Sequence, residues 1–301
     1  AAVPPDLYQH QKHAVALLLQ YPKFALFYDM GTGKTASTLT AIKHLIEGRT
    51  IANALVVCPL AIIDSAWRRD AATFAPNLTF ASFHDKKSAF GKCHLNVINF
   101  ESFRSRFDKI RKMPWSMLVV DESSRMKDRN SQASKSLRQL AAVTPRVVLL
   151  SGTPAPNDAL EYWPQIAALD PKVLGENYYA FRFRYGTSER IYAAGGRKID
   201  IWKANPEALP AMLDRIAKVS HTLRKEDCLD LPDKVDEVIE VELDAAERHA
   251  YDTMREDLIV RFGDQLDDVA VADNVLSEVM KLRQLANGWC YDAEHKARKT
   301  G

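Results

Sequence analysis

Residues 24–35 read Phe-Ala-Leu-Phe-Tyr-Asp-Met-Gly-Thr-Gly-Lys-Thr, and this stretch decides the fold class. The apolar run from Phe24 to Tyr28 is typical of a buried β-strand. The pattern from Lys34 to Glu47 predicts a helix, which Gly48 ends. A strand that passes through a glycine-containing turn directly into a helix is the start of a βαβ unit, so it predicts a parallel sheet.

The turn Gly31-Thr32-Gly33-Lys34-Thr35 has the composition of a phosphate-binding loop. Glycines let the backbone wrap a phosphate, so that N–H groups and the helix N-terminus face its negative charge. In such loops the lysine reaches the β- and γ-phosphates and the threonine hydroxyl binds Mg²⁺. The full pattern G-x-x-x-x-G-K-T is not met, because Tyr28 stands where the first glycine would be. The alternative is a glycine-rich turn with a capping threonine.

The alternation of short apolar runs and helical patterns continues through the first half of the chain. Further strands are predicted at residues 54–58, 78–83, 95–99, 117–120 and 147–150, and further helices at residues 62–74, 102–112 and 132–142. This order predicts an α/β fold with a doubly wound parallel sheet, covered by helices on both faces. Ligands of such sheets bind beyond the carboxyl ends of the strands.

Two more strand ends carry groups that suit phosphoryl transfer. Asp121 and Glu122 follow an apolar strand, where one carboxylate can hold Mg²⁺ and its neighbour can orient and deprotonate a water. Alone, such a pair is a solvated turn, but downstream of a phosphate loop it is a Walker B candidate. The segment Ser151-Gly152-Thr153-Pro154 is by itself a β-turn. In series with the other two motifs it could couple the nucleotide to a second ligand.

Composition limits the classes of function that fit. The 301 residues include 41 Lys and Arg against 39 Asp and Glu, a net charge of +2, so any affinity for nucleic acid must come from local patches. No apolar run approaches the ~18 residues that a membrane span needs. The 4 cysteines lack metal or disulfide spacing, and a reduced, cytoplasmic protein is expected. His10 and His13 lack a third metal ligand and are interpreted as surface or packing residues.

The second half of the chain has a different character. Residues 157–230 show mostly helical or irregular patterns, and Leu231-Pro232-Asp233 looks like a joint. Residues 235–243 alternate acidic and aliphatic side chains, which predicts a half-exposed strand. Helices are predicted at residues 245–262 and 275–286, with no strand after them.

The order of motifs resembles the Swi/Snf-type translocases of helicase superfamily two, in the compact spacing of the phage or prophage branch. The resemblance rests on Leu7-Tyr-Gln-His-Gln11, Asp29 to Thr35, Val56-Val-Cys-Pro-Leu60 with Trp67, Asp121-Glu-Ser-Ser-Arg125 and Ser151-Gly-Thr-Pro154, and later on Asn157, Leu223-Arg-Lys225, Leu231-Pro-Asp-Lys234 and Leu282-Arg-Gln-Leu285. It implies a RecA-like P-loop domain with a mainly helical extension.

For the nucleotide, the resemblance implies ATP with Mg²⁺. The cofactor-binding residues would be Gln11, which reads the adenine edge, together with Asp29, Met30, Gly31, Thr32, Gly33, Lys34 and Thr35. The catalytic residues would be Lys34, Asp121 and Glu122, with Thr35 and Asp121 on the metal. Ser123-Ser124 replaces the Ala-His of the common Asp-Glu-Ala-His form, so the coupling role of that histidine does not transfer.

For the second ligand, the resemblance implies DNA, double-stranded and bound without sequence selectivity. The DNA-binding residues would be Pro59, Leu60, Arg68, Asn99 and Arg104. Ser151, Gly152 and Thr153 would couple the nucleotide state to the DNA. The expected protein is a monomer that is not bound to a membrane.

The resemblance also implies a domain order. Residues 1–165 would form RecA-like lobe 1, residues 166–230 a helical protrusion, and residues 231–301 the start of a truncated second lobe. In this family the second lobe supplies the arginine finger, so the chain is expected to bind ATP with little turnover. The alternatives are an RNA helicase of the DEAD or DEAH type, the motor subunit of a restriction system, and a nucleotide-sensing module without hydrolysis.

Overall fold

The computed structural model describes residues 6–85, 89–192, 198–228, 237–257, 259–261, 269–271, 275–292 and 296–299. The chain divides into two compact units, residues 1–231 and residues 232–301. None of the described helices combines the length and the apolar character that crossing a membrane requires.

A seven-stranded parallel sheet forms the centre of the first unit, which confirms the predicted fold class. Its strands are β1 (Lys23–Tyr28), β2 (Ala54–Cys58), β3 (Phe80–Ser82), β4 (Leu95–Asn99), β5 (Met117–Asp121), β6 (Arg146–Ser151) and β9 (Ser220–Leu223), in the spatial order β3-β4-β2-β5-β6-β1-β9. All neighbouring pairs in this sheet are parallel, so the carboxyl ends of the strands lie along one edge.

Helices cover both faces of this sheet. They are α1 (Gln9–Gln20), α2 (Lys34–Glu47), a π-helical turn (Ile63–Arg68) that continues as α3 (Arg69–Phe74), α4 (Phe100–Ser105), α5 (Phe107–Ile110) and α6 (Gln132–Val143). Alternate residues of β1 belong to two separate cores. Ala25 and Phe27 pack with residues of α4 and α6, whereas Phe24, Leu26 and Tyr28 pack with residues of α1 and α2.

Several predicted boundaries differ from the structure by one residue, and three elements differ by more than that or in type. The strand expected at residues 78–83 is only Phe80–Ser82, and the helix expected at residues 62–74 begins as the π-helical turn. The helix expected at residues 102–112 starts earlier and is broken into α4 and α5. Asn99 accepts a hydrogen bond from the Ser102 amide, and this cap fixes the start of α4 at Phe100.

The segment predicted to be helical or irregular contains both helices and strands. Its helices are α7 (Trp163–Leu169), α8 (Pro171–Leu174), α9 (Tyr178–Tyr185) and α10 (Leu209–Ile216), and its strands β7 (Gly186–Tyr192) and β8 (Lys198–Ala204) form an antiparallel hairpin. The hairpin corrects the prediction. Its second strand reads KIDIWKA, a polar–apolar alternation that indicates a strand. β9 escaped prediction because it is short and half polar, and it joins the main sheet beside β1.

The second unit is small. It contains α11 (Ala245–Asp257), β10 (Ile259–Arg261), β11 (Val269–Val271), α12 (Val275–Leu285), β12 (Trp289–Tyr291) and β13 (Ala297–Lys299), around a core of Ala250, Met254, Leu285 and Cys290.

Three predictions for this unit are wrong. Residues 237–243 form no regular structure, and Val238 and Val241 are more than 80% exposed there, so the alternating pattern has no core to face; residues 235 and 236 lie outside the described residues. The helix expected to reach residue 262 ends at Asp257, and β12 and β13 follow the last helix.

Candidate active site

The predicted phosphate loop, residues 29–33, joins the carboxyl end of β1 to the first turn of α2. Gly31 and Gly33 have φ values of +83° and +81°, a left-handed conformation that favours glycine. A Cβ atom at Gly33 would lie 2.0 Å from Nε2 of Gln11. The backbone conformation therefore favours glycine at both positions, and the close approach of α1 leaves no room for a Cβ atom at Gly33.

Side chains from α1 hold this loop. Gln11 is buried, donating from Nε2 to the Thr32 carbonyl (3.2 Å) and accepting at Oε1 from the Tyr8 amide (3.0 Å). His10 Nε2 also lies 2.9 Å from the Thr32 carbonyl, so the interpretation of His10 as an ordinary surface or packing residue misses its contact with the loop. Gln11 lies where the resemblance puts it, beside the loop. Its recognition of adenine stays a prediction.

Lys34 is enclosed by carbonyl oxygens and carboxylates. Its Nζ donates to the carbonyls of Tyr28 (2.7 Å) and Asp29 (3.1 Å). Burial lowers the pKa of Lys34, and the nearby charges of Asp121, Glu122 and Asp29 oppose that shift. The strand end of β5 and the phosphate loop thus form one electrostatic site, and Thr35 occupies the first turn of α2 next to Lys34.

Asp121 is buried at the end of β5. Burial raises its pKa, while a hydrogen bond from Nε1 of Trp67 to Oδ2 (2.9 Å) favours the ionised form. Trp67 itself is fully buried. The resemblance groups Trp67 with the motif that contains Pro59 and Leu60, and the structure shows that its indole donates to Asp121, the candidate metal ligand.

Glu122 has φ +55° and ψ +54°, a left-handed conformation that costs energy for any residue with a Cβ. Its amide donates to Oδ1 of Asp121 (3.0 Å). Such strain persists only where the surrounding structure imposes it, and it is enriched at functional sites. The strained residue lies directly after the end of β5, beside the buried Asp121.

The predicted coupling segment contacts the phosphate loop. Ser151 pairs in register with Phe27 of β1, and a Cβ atom at Gly152 would lie 3.4 Å from the amide nitrogen of Met30. Ser151 is fully buried and its hydroxyl accepts from the amide of Thr153 (3.2 Å). Gly152 therefore lies next to the phosphate loop, at the end of the strand that pairs with β1.

A buried glutamine joins the coupling segment to the acidic motif. Gln165 accepts from Oγ of Ser123 (2.8 Å) and donates from Nε2 to the carbonyl of Pro154 (2.6 Å). Ser123 and Gln165 are both fully buried. The sequence gives Gln165 no role, because an isolated glutamine in a helix carries no signal.

The candidate DNA-binding residues lie at the same edge of the sheet. Pro59 and Leu60 follow β2, and Asn99 ends β4 directly beside it. Leu60 is exposed, as is Arg104 on α4, whereas Asn99 is buried and bonded to His84 and Glu101. Among the residues that the structure describes, Arg104 forms no ion pair.

Arg68 differs from Arg104 because its charge is already paired. Its guanidinium contacts Asp64 and Asp85, both at 2.7 Å, and stacks over the ring of Phe80. The two carboxylates raise its pKa. The structure therefore brings Lys34, Asp121, Glu122 and Ser151 together, and it places Arg68 in a network of its own.

The sequence matches the SNF2-related domain over residues 10–289. Protein p41 of Acyrthosiphon pisum secondary endosymbiont phage 1 is 28% identical over 97% of this chain and 65% of its own length. The SWI/SNF-related matrix-associated actin-dependent regulator of chromatin subfamily A-like protein 1 homolog of Caenorhabditis elegans is 30% identical over 78% of this chain and 34% of its own length. The chain thus spans less than two thirds of these relatives.

Solved structures share the fold. The Sulfolobus solfataricus SWI2/SNF2 ATPase core in complex with dsDNA superposes with a TM-score of 0.64 and 22% identity, over 95% of this chain and 59% of that one. A second structure, the Sulfolobus solfataricus SWI2/SNF2 ATPase core domain, gives a TM-score of 0.62 and 21% identity, over 96% of this chain and 58% of that one. The parallel sheet is accordingly RecA-like, and the chain belongs to the SNF2-related domain family.

Proposed function

We propose that this chain is the ATP-binding first lobe of a DNA-dependent ATPase that translocates along double-stranded DNA. The observation that carries the proposal is the electrostatic site at one edge of the sheet, where Lys34 lies among the charges of Asp121, Glu122 and Asp29. Family membership supports it. An RNA helicase has no comparable support, because the family match and the solved relatives are of the SNF2 type.

The residues present suit Mg-ATP. The loop glycines have no side chains that would cover the backbone N–H groups, and α2 begins directly after Gly33, so its N-terminus can face a phosphate. Lys34 provides a cation for the terminal phosphates. The hydroxyl of Thr35 and the carboxylate of Asp121 are the oxygen ligands that Mg²⁺ prefers. When bound, Mg²⁺ would neutralise phosphate charge, and Glu122 would orient and deprotonate the attacking water.

The proposed DNA surface is the carboxyl end of β2 and β4 with Arg104. One of the solved relatives carries dsDNA, which supports this ligand class. Exposed arginines would neutralise phosphates without reading bases, so binding would be unselective. Ser151, Gly152 and Thr153 would couple the two ligands, since they end the strand that pairs with β1 and Gly152 lies next to the phosphate loop.

We further propose that residues 231–301 begin a second lobe and that the remainder of this lobe, which the 301 residues do not include, supplies the arginine finger. The matched relatives are longer than this chain, which leaves room for such a lobe. An arginine finger contributes about 10³- to 10⁵-fold in rate. The 301-residue chain would therefore bind ATP and turn it over slowly.

Thermal unfolding with and without Mg-ATP tests the nucleotide assignment. Ligand at ~100 times its Kd stabilises the folded state by ~2.7 kcal/mol, which raises Tm. Lys34→Ala should abolish most of this rise, and Lys43→Ala, which removes the same charge farther along α2, should keep it. An equal rise in the Lys34 variant and in wild type would refute the assignment.

A further inference from the structure

The added strand β9 brings a second lysine to the phosphate loop. β9 runs parallel to β1, and Leu223 pairs with Tyr28 at the carboxyl end of both strands. Asp29 forms two hydrogen bonds with the end of β9 and the residues after it. Its amide donates to the Leu223 carbonyl (3.0 Å), and its Oδ2 accepts from the amide of Lys225 (2.9 Å). The backbone of Lys225 is therefore held against the first residue of the loop.

The Lys225 side chain lies over Gly31. A Cβ atom built at Gly31 would be 3.1 Å from Cε and 3.4 Å from Nζ of Lys225. Because Gly31 also has φ +83°, glycine serves two purposes there. It permits the turn of the loop, and it leaves room for an ammonium group directly on the loop backbone.

Two ammonium groups thus approach one phosphate loop. Nζ of Lys34 reaches the loop from inside, on the carbonyls of Tyr28 and Asp29, and Nζ of Lys225 lies above Gly31. Glu226, the acid next to Lys225 in sequence, is paired with Arg224. Lys225 forms no ion pair with a carboxylate in the described part of the chain. Its charge is therefore available to an anionic ligand.

We propose that Lys225 is a second lysine ligand of the β- and γ-phosphates of the bound nucleotide. This inference rests on the proposed ATP site. It adds to that site a residue that follows β9, the strand that lies beside β1 at one end of the sheet. Hydrogen bonds to ionised groups are roughly twice as strong as neutral ones. Lys225 accordingly favours nucleoside di- and triphosphates over monophosphates, which present no phosphate beyond the α position.

The test compares the Kd values of ATP, ADP and AMP for wild type and four variants, one of which is Lys34→Ala, using competition against a fluorescent ADP. Lys225→Ala should raise the Kd of ATP and of ADP about tenfold and leave the Kd of AMP unchanged. Lys225→Arg keeps the charge and should restore most of the affinity. Lys218→Ala is the matched control, since Lys218 is exposed before β9 begins, at the opposite end of the strand. It should bind all three nucleotides as wild type does.

Each other outcome overturns a stated claim. If wild type does not bind ATP, the proposed function fails and the role of Lys225 fails with it. If wild type binds ATP and Lys34→Ala abolishes binding while Lys225→Ala matches Lys218→Ala, only the role of Lys225 is refuted. An equal loss of AMP and ATP affinity in Lys225→Ala would also refute it, because the side chain would then only maintain the loop.

Discussion

Nε1 of Trp67 donates a 2.9 Å hydrogen bond to Oδ2 of Asp121, from a π-helical turn to the end of a buried strand. Irregular helical turns of this kind are frequent at functional sites. Burial raises the pKa of Asp121, and the indole N–H is the strongest of the contacts that oppose the shift. Trp67 therefore helps to keep the candidate metal ligand ionised without touching solvent.

Replacing Trp67 by phenylalanine should make stability depend more strongly on pH. The unfolded pKa of an aspartate is about 3.9. When the pKa in the folded protein is higher than that, the free energy of unfolding decreases as pH rises from the unfolded pKa to the folded pKa. Trp67→Phe removes a bond to the ionised form, so the pKa of Asp121 rises further and the loss extends to higher pH. Urea unfolding from acid to neutral pH should show a difference from wild type that widens with pH, reaching about 1–3 kcal/mol.

Trp115→Phe is the control for that experiment. Trp115 is also buried, but its indole donates to the carbonyl of Ile110, which does not titrate. This variant should lose stability by an amount that is independent of pH. Parallel pH profiles for the two variants would show that Trp67 acts by packing alone.

Because the backbone at Glu122 is strained, replacing this residue by glycine should increase stability and abolish catalysis. The left-handed conformation costs about 1–2 kcal/mol for a residue with a Cβ, which exceeds the entropic cost of glycine, about 0.5–1 kcal/mol. Glu122→Gly should therefore raise the free energy of unfolding, while Glu122→Gln should leave it unchanged. Both variants should retain ATP binding and lose hydrolysis in a hydrolysing form of the protein. A Glu122→Gly variant less stable than Glu122→Gln would contradict the strain argument.

Local patterns predict most of the elements that carry the nucleotide site. The helix at Lys34–Glu47 and the strands Ala54–Cys58 and Leu95–Asn99 have the predicted bounds, because apolar run length and glycine position are properties of adjacent residues. Asp121 and Ser151 each end a strand of the parallel sheet, so the rule that ligands bind at the carboxyl ends of such strands predicts their place near the loop.

The contacts that the sequence could not predict join distant segments. The Gln165–Ser123 bond spans 42 positions and the Trp67–Asp121 bond spans 54, and no local pattern links either pair of partners. Lys225 reaches the loop only because β9 adds to the sheet beside β1, and a four-residue strand with polar residues gives too weak a signal. The alternation at residues 237–243 gives the converse error, since the pattern exists without a sheet to use it.

The bridge from Ser123 through Gln165 to Pro154 should show energetic coupling. Gln165→Leu leaves the buried Ser123 hydroxyl without its partner, at a cost of about 1–3 kcal/mol. Adding Ser123→Ala removes that orphan, so the double variant should be more stable than the sum of the single changes predicts, by about 0.5–3 kcal/mol. Ser134→Ala is the control, because that buried hydroxyl has no hydrogen-bond partner among the described residues and its loss should cost little. Additive effects in urea unfolding would show that the bridge does not couple the two motifs.

Arg104 and Arg68 should contribute differently to DNA binding, although the sequence treats them alike. Arg104 is exposed without an ion pair among the described residues, so Arg104→Ala should lower the slope of log K against log salt by about 0.9 on duplex DNA. Arg68→Ala should leave the slope unchanged, because Asp64 and Asp85 already hold that guanidinium. The Asp64→Ala/Arg68→Ala variant keeps the net charge and should bind DNA as wild type does. A slope change in Arg68→Ala equal to that of Arg104→Ala would show that Arg68 leaves its carboxylates for a phosphate.

The rate of ATP hydrolysis is the most direct test of the proposed two-lobe arrangement. Phosphoryl transfer needs positive charge on the transferring phosphate, and preorganised groups act strongly only where water is excluded. Lys34 and Asp121 can position the nucleotide, yet in the proposed scheme the arginine finger comes from the other lobe. The 301-residue chain should therefore bind ATP and release phosphate barely above background, with or without DNA.

A longer form that includes the second lobe should hydrolyse ATP with stimulation by duplex DNA, more than by single-stranded DNA or RNA. Glu122→Gln in that form should keep ATP binding and abolish the stimulated rate, because it removes the group that activates the water. The measurement is phosphate release by both lengths, side by side, with each nucleic acid. Strong DNA-stimulated turnover by the 301-residue chain alone would mean that it carries its own arginine finger. The first exposed arginines to replace would then be Arg104 and Arg125, because both line one cavity beside Phe100.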